Sequence, residues 1–170
     1  MGELTPQDRL QPALLDRLID HEPERSEEAR AARFVTKTGL REAVLRDLGW
    51  LFNCVRPGAA AGLAGYEHAC HSVLNFGLPA LSGGTAAALD LLAVERHIRQ
   101  AIVDFEPRIL PASLQVEALA PEALLDRHNV VSIRIRGQLW AQPVPLALLL
   151  RTDVDLETGI VEIRDLGKGE

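Results

Sequence analysis

The chain has 170 residues, a length that suits one domain with short tails, and its 47% hydrophobic content supports a packed core. Aromatic residues make up only 4%, so that core is expected to consist mainly of Leu, Val, Ile and Ala. A formal net charge of −6 argues against a general nucleic-acid binder, and no apolar run approaches the length of a membrane span.

The start, Met1-Gly2-Glu3-Leu4, lacks the basic-then-apolar order of a signal peptide, and residues 1–9 read as a flexible tail. Leu14, Leu15, Leu18 and Ile19 share one face and predict a short helix over 10–20, with Pro12 suited to its first turn. Residues 20–37 are charged and carry no apolar stripe, so they read as a solvated linker. A second helix is expected from Thr38 as N-cap. Its stripe is Leu40, Val44, Leu48 and Leu51, widened by Leu45 and Phe52, with Arg41, Glu42, Arg46 and Asp47 on the wet side. A loop over 53–65, a helical turn over 66–74, and turns at Asn75-Phe76-Gly77-Leu78-Pro79 and Ser82-Gly83-Gly84 follow.

The third helix is the strongest, predicted over 85–105 with Leu91, Val94, Ile98, Ala101, Ile102 and Phe105 on one face. Glu95 and Arg99 form an i,i+4 pair in the favourable order. Pro107 has no amide hydrogen and disfavours a helical Glu106, so the helix stops there. The period then changes to two. Leu114 and Val116; Val131, Ile133 and Ile135; Thr152, Val154 and Leu156; and Val161 and Ile163 each alternate with polar residues, and predict four strands with one wet face each. Glu157-Thr158-Gly159 joins the last two as a hairpin. Helices first and strands last predict an α+β fold: N-terminal helices, then a mainly antiparallel four-stranded sheet with one long helix packed on it. The single domain is expected over 10–165, with 166–170 as a second tail.

Chemistry is sparse in this sequence. There is no GxxxxGK loop, no HExxH and no GxSxG. Glu67-His68-Ala69-Cys70-His71 contains imidazole and thiol groups, but the spacing is too tight for a usual four-ligand site and only Cys54 stands elsewhere to complete it. No metal and no cofactor is expected. Two cysteines are too few for a disulfide scaffold and suit a reducing compartment. Glu106-Pro107-Arg108 has two readings. It is a helix stop whose arginine sits near the negative helix end, or it is a stiff corner that holds an acidic and a forked basic group for a partner.

Several stretches, in order, carry a family resemblance: Leu14-Leu15-Asp16-Arg17-Leu18; Leu40-Arg41-Glu42-Ala43-Val44-Leu45-Arg46-Asp47-Leu48-Gly49-Trp50-Leu51; Ser72-Val73-Leu74-Asn75-Phe76-Gly77-Leu78-Pro79; and Phe105-Glu106-Pro107-Arg108-Ile109. Gly137-Gln138-Leu139 and Pro143-Val144-Pro145-Leu146 also fit. The chain resembles the TssE family, small baseplate wedge subunits of type VI secretion systems related to the lysozyme-like-named wedge protein of contractile phage tails. Phe76 departs from a common Tyr, and Ala80 and its neighbours depart from an acidic residue before Leu81. The resemblance implies a cytoplasmic, non-enzymatic assembly subunit at a baseplate near the inner membrane. Glu106, Pro107 and Arg108 would then be the partner-binding tripeptide that contacts a helical core made by TssF and TssG. Strands of the sheath proteins TssB and TssC would join the sheet. No nucleic acid and no membrane insertion is implied. On this reading, replacing Glu106 or Arg108 stops assembly and leaves the thermal midpoint unchanged. The rival is a lysozyme-like hydrolase of cell-wall glycan, for which no motif stands in the sequence.

Overall fold

Two amphipathic helices and four alternating strands leave one apolar face each, and burying those faces together dictates the architecture. The computed structural model describes residues 13–19, 23–24, 35–57, 62–81, 90–119, 129–141 and 144–167. The expected tail over 1–9, most of the charged stretch 20–37, residues 85–89 of the expected third helix and the Ser82-Gly83-Gly84 turn lie outside them. Among the described residues, no helix is long and apolar enough to cross a membrane.

Helix α1 (Leu14–Leu18) is short and buries none of its residues. Helix α2 (Lys37–Phe52) buries Leu40, Val44, Leu48, Leu51 and Phe52, the expected stripe. Its cap is Thr36 rather than Thr38: the Gly39 amide donates to the Thr36 hydroxyl at 3.0 Å. With Thr36 as cap, Val35 and Leu40 stand at the two positions of a hydrophobic staple, and both pack in the core. The side expected to be wet is only partly so. Arg41 reaches Asp165 at 2.9 Å and also donates to the Ala147 carbonyl, and Arg46 and Asp47 are half-buried.

The loop after α2 is stitched to the turn over 75–79. Leu78 donates to the Cys54 carbonyl and Arg56 donates to the Leu78 carbonyl, each at 2.8 Å. Gly77 lies between at φ 115°, and a Cβ there would stand 2.2 Å from the Cys54 oxygen. Only glycine satisfies both demands. Helix α3 (Glu67–Cys70) forms within the predicted helical turn.

Helix α4 (Leu91–Phe105) is capped by Asp90, whose carboxylate accepts from Ala93 at 3.0 Å, and it ends at Glu106 as the proline requires. Val94, Ile98, Ala101 and Ile102 are buried. Strands β1 (Gln115–Ala118), β2 (Val130–Leu139), β3 (Leu146–Asp155) and β4 (Val161–Asp165) pair antiparallel in the order β1-β2-β3-β4. The predicted α+β class and the four strands are therefore present. Ile133, Ile135, Leu148, Leu150 and Val154 face the helices and join α2 and α4 in one core. Gly159 turns the last hairpin at φ 75°.

Three side chains depart from the periodic pattern. Glu95 and Arg99 do not pair with each other. Both turn to β1, where Glu95 accepts from the Ala118 amide at 2.7 Å and Arg99 donates to the Leu114 carbonyl at 2.7 Å. Asp153 was expected on the wet face, yet it is 6% exposed, because Ser132 and Arg151 both donate to it.

Candidate docking site

The corner after α4 is fixed by backbone before any side chain acts. The Ile109 amide closes a turn onto the Glu106 carbonyl at 3.1 Å, and the Trp140 amide donates to the Arg108 carbonyl at 2.7 Å. Leu110 donates to the Gln138 carbonyl, so the corner is laced to the end of β2. Pro107 is exposed at its tip.

The two charged side chains of the corner are not presented alike. Glu106 is 3% exposed, which corrects the picture of both charges facing outward. A buried carboxylate needs donors and a counter-charge, and Arg108 supplies both. Its Nε donates to Glu106 Oε1 at 2.6 Å, its Nη2 donates to Oε2, and its amide donates to Oε1 at 3.2 Å. Nη2 also donates to Asp47 Oδ2 of α2 at 2.6 Å. Burial opposes the arginine's charge, but the Glu106 and Asp47 carboxylates outweigh it and hold its pKa above the ordinary arginine value. The Nη1 of Arg108 takes no bond within the described residues.

The network runs on. Arg46 Nε donates to Asp47 Oδ1 at 2.9 Å, and Arg46 Nη1 bonds Asp16 of α1. The Arg46 guanidinium lies 5.1 Å from the centroid of the Trp50 ring, a cation–π contact. Charges alternate along Glu106, Arg108, Asp47, Arg46 and Asp16, and the first three of them line a groove of about 400 Å³. The apolar floor includes Leu15, Trp50, Phe76, Phe105 and Pro107. Phe76 meets Phe105 edge-on, ring centroids 5.2 Å apart. The structure therefore brings the predicted tripeptide to an apolar groove, with the Arg108 Nη1 unbonded among the described residues.

Sequence reasoning missed Asp47, Arg46, Trp50 and Asp16 as parts of this site. Arg46, Asp47 and Trp50 stand within a stretch that carries the resemblance, but only folding places Asp47 beside Arg108, 61 residues away. The cluster around Cys70 goes elsewhere. Cys70 Sγ is 3.1 Å from the Leu63 carbonyl, and His71 Nδ1 pairs with Asp104 at 2.9 Å. Among the described residues, no group of three or more His, Cys, Asp or Glu is placed to hold a metal ion.

The family model for baseplate wedge protein gp25 matches residues 38–144, more than half of the chain. That span contains α2 from its second residue, the turn at Gly77, α4, the corner and the first two strands. No curated protein and no solved structure matches.

Proposed function

Because the chain belongs to the baseplate wedge protein gp25 family, and is therefore a structural baseplate component, we propose that it docks through the corner at Glu106, Pro107 and Arg108 and offers a sheet edge to an incoming strand. The observation that carries the docking reading is the half-engaged guanidinium of Arg108. Its Nε and Nη2 are spent on Glu106 and Asp47, its Nη1 takes no bond among the described residues, and the side chain lines the groove. A carboxylate or helix-end carbonyl of a partner would take that donor, and apolar side chains of the same partner helix would fill the groove. Glu106 acts at one remove, as the group that positions Arg108. Pro107 is exposed, stiffens the corner and reduces the entropy lost on docking.

The resemblance to TssE names the occupants: TssF and TssG at the corner, and strands of TssB and TssC at the sheet, in a cytoplasmic baseplate. For the second role the edge of β4 is the fitting one. Val161 turns its peptide groups away from β3, where the Asn53 side chain bonds both of them. By alternation the peptides of Ile163 and Asp165 face the same way, and they take no bond within the described residues. Unpaired groups of this kind invite strand addition. The subunit works without bond-breaking chemistry, and purified chain is expected to leave a peptidoglycan suspension turbid.

The test is co-purification with TssF and TssG. Arg108→Lys keeps a cation for Glu106 and Asp47 but removes the forked donor. It is expected to stay folded in a thermal melt and to lose the partners. Full co-purification by a folded Arg108→Lys chain would overturn the docking role.

A further inference from the structure

On the outer face of the sheet, Glu117, Arg134, Arg151 and Arg164 lie directly opposite one another across β1, β2, β3 and β4. Like charges in opposed positions are destabilising, so a row with three adjacent arginines asks for carboxylates around it. At one end Glu117 lies 4.0 Å from Arg134. In the middle Asp153 lies 3.0 Å from Arg151 and 3.9 Å from Arg164. At the other end the row stops at Arg164, on the edge strand β4, with its side chain 52% exposed and turned back to Glu162 of its own strand at 2.9 Å. Glu162 is itself 64% exposed. The edge therefore shows an acid and a base two residues apart, on the face that a fifth strand would extend.

We infer that the β4 edge selects its strand by charge: an acidic residue beside Arg164, followed two residues later by a basic residue beside Glu162, in a strand running antiparallel to β4. This rests on the strand-addition reading above and adds the partner's sequence class to it. An antiparallel strand bonds to the outward peptides of Ile163 and Asp165. That puts Arg164 and Glu162 at non-hydrogen-bonded positions, where opposing side chains come closest. The incoming carboxylate adds a counter-charge directly opposite Arg164, as Glu117 does opposite Arg134 at the other end of the row.

The chain itself presents that order in Glu162-Ile163-Arg164. Two copies paired about Ile163 would set Asp165 against the Val161 peptide, which Asn53 already bonds through both of its groups. Asn53 thereby turns the edge away from a second copy and leaves it to a foreign strand, which need not reach Val161.

The experiment uses the full chain carrying, after Glu170, a flexible Gly/Ser linker and a strand of sequence Val-Glu-Val-Lys-Val or its charge-swapped form Val-Lys-Val-Glu-Val. A linker makes the pairing intramolecular, at an effective concentration of roughly millimolar. Amide hydrogen exchange at Ile163 and Asp165 reports pairing. Two cross-strand charge pairs that change sign together predict about tenfold greater protection by the acid-first strand. Arg164→Glu combined with Glu162→Arg inverts that preference. Equal protection by both strands overturns the charge selection and leaves strand addition standing. No protection by either, in a folded chain, overturns strand addition and this inference with it. A dimer of the unextended chain in sedimentation, abolished by Ile163→Pro, would make the occupant a second copy and overturn the foreign strand.

Discussion

The two edges of the sheet are finished in different ways. The β1 edge lies against α4, and that helix supplies side chains to it: Glu95 holds the Ala118 amide, Arg99 holds the Leu114 carbonyl, and Val116 between them packs on the core. The same helix then ends in the corner that is laced to β2. The β4 edge has one such bolt, Asn53 on Val161, and beyond it the outward peptides of Ile163 and Asp165 take no bond among the described residues. The helix holds the β1 edge at two points and leaves the outward peptide of Val116 without a bond among the described residues, whereas the β4 edge is held at one and leaves two such peptides in a row. A sheet protein that must grow in one direction only has reason to be built this way, since an unpaired edge is a hazard wherever it has no partner.

The largest expected effect lies on the side of the corner. Arg108→Ala leaves the Glu106 carboxylate buried without its cation, and breaking a buried pair from one side costs roughly 3–5 kcal/mol. The thermal midpoint is therefore expected to fall, contrary to the sequence expectation that it would not move. Denaturant titration of Arg108→Ala against wild type measures it. A change below about 1 kcal/mol, the scale of an exposed ion pair, would mean that the corner is not braced by its own charges and that the two sides differ less than their geometry says.

Asn53→Ala tests the single bolt of the other side. It removes two hydrogen bonds to Val161 that join α2 to β4, with an expected loss of about 1–2 kcal/mol. It also exposes a third outward peptide, so exchange of the Val161 amide should rise toward that of Ile163. If Val161 stays protected while Ile163 exchanges, something other than Asn53 closes that end of the strand.

The legible parts of this fold are those that depend on neighbours in the chain. The period of α2 and α4, the stop at Pro107 and the alternation of the four strands follow from which side of each element faces the core, and the structure has them. The cap at Thr36 instead of Thr38 is a local error: two threonines competed, and the staple formed by Val35 and Leu40 settled it. The larger errors concern partners. Glu95 and Arg99 look like a pair on an isolated helix, yet a strand edge with unpaired groups competes for both. Glu106 and Arg108 look like a charged surface bend, yet Asp47 comes from 61 residues earlier to complete a partly buried network. Periodicity tells which face is covered, and it carries no information about what covers it.

Asp153 offers the smallest and most selective way to separate the two sides. Burial alone would raise the pKa of its carboxyl, but the Ser132 hydroxyl, Arg151 and Arg164 outweigh burial and hold it below the ordinary aspartate value. A carboxyl with a depressed folded pKa adds stability that is fully present above its unfolded value, about 3.9, and is lost as pH falls through the folded one. Protonation also withdraws an anion from between Arg151 and Arg164, so the arginine row should loosen from the β4 side first. Below about pH 4, amides of β3 and β4 are expected to lose protection before those of β2 that pair with β1. Asp153→Asn should lower stability at neutral pH and flatten the acid limb of the unfolding free energy. An acid limb of the same slope in both chains would place the responsible carboxylate elsewhere and remove the electrostatic part of the difference between the edges.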